Sequence, residues 1–284
     1  MCGGRLKKRL ESHKPDVIVS VHPTMNHAPL KCTQKTSREL GKHIPFFTVV
    51  TDLGSAHCMW FERHVDKLYV ASDRLYKLAR RRGGTKHEDI VMTGLPIRHG
   101  FAVEAEKLGA EGRTSEQGIA YQTQVRKELG IAPDKQMVLI MGGGEGVGSL
   151  SDIVNNLYAE LSTKGIDATI CVVCGRNEKL KTDLETRNFE VITQEILAKA
   201  EKRGKGLRGL LCKIRKKNRV AARLKEQHGE ENKPSTPGKV DVMPLGFLTN
   251  IPEYMVAADV LVSKAGPGTI AEAAAVGLPV MMTR

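Results

Sequence analysis

The segment 260–282 carries the residue types best suited to chemistry in this chain. Its pattern predicts a short apolar strand, a glycine- and proline-rich turn, a short helix and a second apolar strand. The residues in the turn and at the start of the helix are Lys264, Gly266, Gly268 and Thr269. Because the first amides of a helix have no internal acceptor, and glycine leaves them uncovered, this segment predicts an anion site.

Glu272 follows one helical turn after this predicted anion site. A carboxylate there would repel a phosphate, but it can accept hydrogen bonds from sugar hydroxyls. A phosphate at the turn and a diol at Glu272 together describe a ribonucleotide. The alternative interpretation is a strand–loop–helix unit with a well-capped helix and no ligand.

A second glycine-rich loop covers residues 142–148, between an apolar run and a helix predicted at 151–161. A strand, a glycine loop and a helix in this order can hold a phosphate. The loop lacks both the GK[ST] sequence of a P-loop and the G-x-G-x-x-G spacing of a dinucleotide fold, so ATP hydrolysis and NAD chemistry lose support. A third loop at 175–177 supplies Arg176 at the end of a predicted strand, where ligands bind in open α/β sheets.

Short apolar runs alternate with helical patterns along the chain, which predicts an α/β fold with parallel sheets. We expect two α/β domains at 1–100 and 124–284. Residues 101–123 are rich in Glu, Gly and Gln without an apolar period, and we interpret them as a linker or inserted loop. The predicted strands are residues 16–21, 44–50, 66–71, 89–93, 137–141, 169–174, 239–247 and 258–263, and the helices of the first domain are 30–41 and 72–82.

Positive charge is concentrated in one insertion, predicted at 194–238. Residues 199–225 contain twelve Lys and Arg and one acid, so they carry +11 of the formal net charge of +12. Their leucines follow a helical stripe, which is typical of a basic amphipathic helix on an anionic membrane. A solvated, disordered loop is the alternative. Aromatic stacking residues are absent from this stretch, so we expect no nucleic-acid partner.

Cys171 and Cys174 form a C-x-x-C pattern, but it does not predict a metal or redox site. Residues three apart on a strand point to opposite faces, and both cysteines fall in a predicted buried strand. The chain also contains no run of about 18 apolar residues that would span a membrane.

The chain resembles the monogalactosyldiacylglycerol synthases, which are inverting glycosyltransferases of family 28 with two Rossmann-like domains in the GT-B arrangement. More distantly, it is similar to the lipid-linked GlcNAc transferase of peptidoglycan synthesis. The segments that carry the resemblance are residues 20–30, 49–61, 93–98, 141–148, 174–177, 245–247 and 263–280. They follow the family order along nearly the whole chain.

The resemblance implies that galactose moves from UDP-galactose to 1,2-diacylglycerol with inversion. The loop 142–148 and the turn 264–269 would hold the diphosphate, Glu272 the ribose, and the backbone around Gly246 and Phe247 the uracil. We expect no cofactor and no metal, since helix dipoles and N–H groups can replace a divalent ion. The expected donor residues are Gly142, Gly143, Gly144, Glu145, Gly146, Arg176, Gly246, Phe247, Lys264, Gly266, Pro267, Gly268, Thr269 and Glu272.

The first domain is expected to hold the acceptor. Candidates to orient or deprotonate its hydroxyl are Asp52, His22 and His27, with a structural role as the alternative for each histidine. Residues expected to meet the acceptor or the membrane are His57, Trp60 and Phe61. Trp60 and Phe61 read as an exposed aromatic pair suited to a membrane interface, with core packing as the alternative.

Departures from the family pattern concern both ends. The family begins with a strand and a glycine-rich loop bearing a histidine, and the resemblance implies that this histidine is the catalytic base. We expect this chain to start after that loop and to stop before a segment that contacts the donor sugar. We therefore expect a chain shortened at both ends, with an incomplete first domain. A related glucosyl or GlcNAc transferase, or a non-catalytic UDP- or lipid-binding remnant, stays open. The family implies a peripheral location at the plastid envelope, with a bacterial cytoplasmic membrane as the alternative.

Overall fold

The computed structural model describes residues 2–142, 147–199, 236–264 and 266–283. They fall into two compact units, which are Met1–Arg98 with Gly266–Glu272, and His99–Ala265 with Ala273–Arg284. Each unit contains one parallel sheet, so the predicted α/β class with two sheets is confirmed. Within the described residues, no helix combines the length and the apolarity that a membrane span requires.

The first unit is built on four parallel strands in the order β1-β2-β3-β4. The strands are β1 (Ile18–Ser20), β2 (Phe46–Val49), β3 (Lys67–Val70) and β4 (Ile90–Met92). Its helices are α1 (Cys2–His13), α2 (His27–Leu40) and α3 (Asp73–Leu78). The four strands were all predicted, and each is shorter than its apolar run because only the paired residues form the ladder.

Capping residues fix the helix ends in this unit. The Ser72 hydroxyl accepts a hydrogen bond from the amide of Leu75 at the start of α3. After α3 the chain continues through one π-helical turn, Ala79–Gly83, and Gly84 then adopts a left-handed φ of 61° that ends it. The helix predicted at 72–82 is therefore confirmed in its start and its end.

The second unit is built on five parallel strands in the order β7-β6-β5-β8-β9. They are β5 (Gln136–Met141), β6 (Ala168–Val173), β7 (Val240–Leu245), β8 (Val260–Ser263) and β9 (Val280–Met282). The chain moves outward from β5 to β7 on one side and returns to β8 on the other. This reversal makes the carboxyl ends of β5 and β8 a topological switch point, the place where open α/β sheets bind ligands.

Residues 101–123 are helical, so the linker interpretation of this segment is wrong. The helices are α4 (His99–Leu108) and α5 (Glu116–Glu128), and the chain turns between them with left-handed glycines at 109 and 112. The buried carboxylate of Glu104 accepts hydrogen bonds from the Tyr121 hydroxyl at 2.6 Å and the Lys107 ammonium at 2.8 Å. Polar groups therefore join the two helices, which is why the segment has no apolar period.

The remaining helices are α6 (Val147–Thr163), α7 (Glu178–Glu185), α8 (residues 189–199), α9 (Ile251–Ala257) and α10 (Pro267–Ala275). The carboxyl end of α9 is bound by two arginines. Arg126 of α5 donates to the Ala257 carbonyl at 2.8 Å, and Arg113 donates to the Met255 carbonyl at 2.8 Å and the Ala258 carbonyl at 2.6 Å. Carbonyls that a helix end leaves without partners are thus satisfied by side chains.

Candidate functional site

The loops predicted to bind a nucleotide begin along one edge of the second sheet. The last residues of four strands are paired in register, since Met141 lies opposite Val173 and Ser263, and Val173 lies opposite Leu245. Neighbouring strands are about 4.8 Å apart, so this row is about 14 Å wide. The residues that follow it include Gly142, Gly246 and Lys264, and Arg176 comes three residues after Val173.

Gly142 opens the loop between β5 and α6. A Cβ at this position would lie 3.3 Å from the Leu150 side chain, so glycine lets the loop pass close to the first turns of α6. Gly143, Gly144, Glu145 and Gly146 lie outside the described residues, as does the part of the basic insertion at 200–235.

Arg176 and Phe247 meet at the ends of β6 and β7. The guanidinium carbon lies 5.5 Å from the centroid of the Phe247 ring, which is within the range of a cation–π contact. The Phe247 side chain is nevertheless 66% exposed, and nothing lies within 4 Å of where a Cβ of Gly246 would stand. An exposed aromatic ring beside open backbone is a surface on which a planar base can stack.

The turn before α10 leaves its backbone open. If Gly266 or Gly268 carried a Cβ, no other heavy atom would lie within 4 Å of it, and Lys264 is exposed. Pro267 is the first helical residue, where its missing N–H costs no hydrogen bond. The next amides, including that of Thr269, have no acceptor within the helix, so they can donate to an acceptor outside it.

Glu272 has a partner that the sequence analysis missed. Its side chain is only 11% exposed, and Arg98 Nε donates to Oε1 at 2.7 Å while Arg98 Nη2 donates to Oε2 at 2.9 Å. This hydrogen bond raises the pKa of Arg98 above its ordinary value, so the guanidinium stays charged. Arg98 closes the segment 93–98 that carries the family resemblance, and that was the signal from which it could have been found.

The acceptor candidates lie on the loops that follow β1 and β2. Buried Asn26 joins these loops, because its amide donates to the Met59 carbonyl at 2.9 Å and its oxygen accepts from the Thr48 hydroxyl at 3.2 Å. Adjacent parallel strands end at the same edge, so the loops after them start side by side. Asn26 was not singled out from the sequence, because one buried asparagine has no distinctive spacing.

The three histidines on these loops differ in which ring nitrogen is occupied. Nδ1 of His22 accepts from the Thr24 amide and Nδ1 of His57 accepts from the Met59 amide, so each neutral ring carries its proton on Nε2. Nδ1 of His27 lies 2.9 Å from the carboxylate of Glu62, to which it must donate, and its Nε2 can accept a proton. His27 therefore has the geometry of a general base, whereas His22 has that of a donor.

Trp60 and Phe61 are core residues, and the exposed-loop interpretation of this pair is wrong. Their side chains are 2% and 7% exposed, and both belong to the core cluster of the first sheet. The Trp60 indole N–H donates to Asp52 Oδ2 at 2.8 Å. Asp52 therefore already holds a structural hydrogen bond through one of its two oxygens.

Cys171 and Cys174 behave as the strand geometry predicted. Both are buried free thiols, and burial raises the pKa of Cys171 to about 12. A thiol with so high a pKa is neither a nucleophile nor a ready metal ligand at neutral pH.

Two family models match this chain. The monogalactosyldiacylglycerol (MGDG) synthase model matches residues 1–97, and the glycosyltransferase family 28 C-terminal domain model matches residues 186–283. The chain is 30% identical over 276 residues to monogalactosyldiacylglycerol synthase 1, chloroplastic, of Arabidopsis thaliana, covering 96% of this chain and 39% of the relative. The chloroplastic synthase of Spinacia oleracea is also 30% identical over 276 residues, which cover 96% of this chain and 40% of that protein.

The chain belongs to the monogalactosyldiacylglycerol synthase family. It spans about two fifths of the length of these curated relatives. The match to the synthase model ends at residue 97, one residue before the end of the continuous part of the first unit, and the family 28 match contains β7, β8 and the turn before α10. The two matches thus include the acceptor-side candidates and the donor-side candidates from Gly246 to Glu272, whereas the loop 142–148 and Arg176 lie between them.

The fold of this family member is of the GT-B class, with one parallel sheet in each of its two units. The crystal structure of MurG from Acinetobacter baumannii matches it with a TM-score of 0.51 at 12% identity, covering 99% of this chain and 56% of that chain. At this identity the likeness establishes the fold alone, and it agrees with the two parallel sheets predicted from the sequence.

Proposed function

We propose that this chain binds UDP-galactose and forms part of an enzyme that transfers galactose to 1,2-diacylglycerol with inversion. The observation that carries the proposal is the row of strand ends Met141, Val173, Leu245 and Ser263. It supports the proposal because glycine-rich, cationic and aromatic loops follow one ligand-binding edge. Family membership supports the reaction class, since the relatives are named as synthases of a galactolipid.

The donor would be held by groups of complementary chemistry. The amides after Gly142 and around Gly268 would bind the diphosphate, and Lys264 would add a positive charge. The uracil would lie against the backbone of Gly246 and the ring of Phe247. Glu272 would accept the hydroxyls of the ribose, and no metal or other cofactor is part of this proposal.

The transfer itself needs one base and one stabilised leaving group. The acceptor hydroxyl oxygen would form a bond to the anomeric carbon as the bond from that carbon to the UDP oxygen breaks. The hydroxyl proton would pass to a base, and His27 is better arranged for this than His22 or Asp52 because its Nε2 can accept. The negative charge on departing UDP would be stabilised by the amides of the glycine turns.

The donor site predicts a measurable effect of Glu272 on nucleotide affinity. Replacing Glu272 with glutamine (Glu272→Gln) should weaken UDP binding about tenfold, because a charge-assisted acceptor of sugar hydroxyls becomes neutral. Isothermal titration calorimetry with UDP measures the change. The matched control is Glu160→Gln on α6, where the exposed carboxylate pairs with Lys164 one helical turn away. Equal affinities for both variants would contradict the assignment.

The identity of the sugar and of the acceptor can be tested by product formation. Labelled UDP-galactose and labelled UDP-glucose are incubated in separate reactions with the protein and diacylglycerol vesicles. We expect a labelled glycolipid from UDP-galactose and none from UDP-glucose. A glucolipid would instead support the related glucosyl transfer. UDP binding without any product would support a non-catalytic UDP-binding protein.

We further propose that the protein associates with anionic lipid at the plastid envelope. The relatives are named as chloroplastic, and α3 with the turn after it presents a dense basic surface. Its exposed cations, none of which is ion-paired in the described part of the chain, are Arg74, Lys77, Arg80, Arg81 and Arg82. Each basic residue near an anionic surface contributes about 1 kcal/mol.

Charge reversal on this surface should reduce membrane binding. The triple variant Arg80→Glu, Arg81→Glu and Arg82→Glu should bind vesicles containing anionic lipid at least about tenfold more weakly at low salt. Co-sedimentation with the vesicles measures binding. The control carries the same charge change on the exposed residues Arg5, Lys8 and Arg9 of α1. An equal loss in both variants would mean that binding follows total charge rather than this surface.

A further inference from the structure

The carboxylate of Glu272 is occupied along one entire edge. Arg98 donates one N–H to each of its oxygens, at 2.7 and 2.9 Å, in a parallel two-point contact. The Arg98 side chain is 59% exposed, whereas that of Glu272 is 11% exposed. The guanidinium thus covers the carboxylate on the side that faces solvent.

A ribose would use the same edge of the carboxylate. Its 2′ and 3′ hydroxyls are neighbouring donors, as are the two N–H groups that Arg98 presents. Each pair of donors fills the outward-facing lone pairs of both oxygens. Glu272 is 8% exposed with Arg98 in place, so little of its carboxylate is left open to a second pair of donors.

We propose that Arg98 competes with the ribose of the nucleotide for Glu272 and so determines how strongly the protein distinguishes a ribonucleotide from one without these hydroxyls. The proposal rests on the proposed function, in which Glu272 accepts the ribose. Arg98 has a clear role in the unliganded protein, since a buried carboxylate without a partner is costly. The ribose hydroxyls replace that partner when the nucleotide binds.

The exposure of Arg98 makes this exchange feasible. Solvent reaches the Arg98 side of the pair and partly screens it, so a ligand that also supplies donors to the buried carboxylate can displace the guanidinium. We expect Arg98→Ala to raise the contribution of the hydroxyls to affinity about fivefold, the factor that such a pair can impose. In Arg98→Lys the contribution of the hydroxyls should lie between those of the unaltered protein and Arg98→Ala. An ammonium is a single point of charge, whereas a guanidinium is a planar fork that binds both carboxylate oxygens.

Two nucleotides isolate the hydroxyl contribution. Calorimetry at about pH 8, where carboxyl groups are ionised, gives the Kd of UDP and of 2′,3′-dideoxy-UDP, and their ratio reports the hydroxyls alone. The ratio should be modest in the unaltered protein and about fivefold larger in Arg98→Ala. Arg187→Ala serves as the control, because Arg187 also pairs with a carboxylate, that of Asp183, and should leave the ratio unchanged.

The two hypotheses fail in different ways. An unchanged ratio in Glu272→Gln would refute the ribose contact itself. A ratio that falls in Glu272→Gln but is unchanged or lower in Arg98→Ala would refute the competition and make Arg98 an organiser of the site. Thermal unfolding checks that each variant is folded. If Arg98→Ala does not fold, the ratio measured in Arg98→Lys tests the proposal instead.

Discussion

Replacing Arg126 with methionine should lower the free energy of unfolding of the second unit by about 3–5 kcal/mol. The guanidinium is 6% exposed, and Nη2 donates to Asp259 Oδ2 at 2.7 Å while Nε donates to the Ala257 carbonyl at 2.8 Å. Asp259 in turn accepts from the Met137 amide at the start of β5. Loss of the cation would leave Asp259 without its ionic partner and would remove one donor to the Ala257 carbonyl, which also accepts from Gln122 at 3.2 Å. Both acceptors lie in the contact that joins α5, α9 and β5.

The adjacent residue provides the control for this change. Lys127→Met removes the same charge from an exposed position of the same helix, and it should change stability by less than about 0.5 kcal/mol. Urea unfolding followed by far-UV circular dichroism compares the two variants. Similar midpoints would mean that the buried network around Arg126 contributes little. A second variant, Arg113→Met, should show non-additive losses when combined with Arg126→Met, because both arginines bind the end of α9.

The same network explains where the sequence was informative about the fold and where it was not. The strands of both sheets were predicted because they are apolar runs, and β6 is buried at every position except its last. The helices α4 and α5 were missed because they are held by Glu104 and Arg126 as much as by apolar residues. A buried ion pair has no periodicity, and Asp259, the carboxylate that pairs with Arg126, lies 133 residues further along the chain.

In the candidate site, too, features that depend on local sequence could be predicted, and contacts between distant residues could not. Glycine loops after apolar strands could be predicted, since the backbone geometry that binds phosphate depends on local sequence. The order β7-β6-β5-β8-β9 brings those loops to one edge, and the sequence does not contain that order directly. The sequence motifs contain both Arg98 and Glu272, but the two residues are 174 positions apart, so their contact could not be predicted from those motifs. Trp60 was misjudged because it lies in a loop, where side chains are usually exposed.

Trp60→Ala should destabilise the first unit by about 3–5 kcal/mol, because it would leave a large cavity in the core. The side chain packs in a cluster that includes Leu68 and Leu75, both fully buried, and the indole N–H also holds Asp52. The neighbouring change Met59→Ala is the control, since Met59 is 39% exposed and should cost far less. Urea unfolding by circular dichroism measures both variants.

The unaltered protein offers a second test of the same burial. Trp60 is its only tryptophan, so its fluorescence reports this one position. The emission should resemble that of a buried indole and should stay unchanged when anionic vesicles are added, even as Arg80 and its neighbours bind them. Two results together would contradict the burial of Trp60 in the core: an emission shift when vesicles bind, and a small effect of Trp60→Ala on stability. They would instead support the interpretation of Trp60 as a residue of the membrane interface.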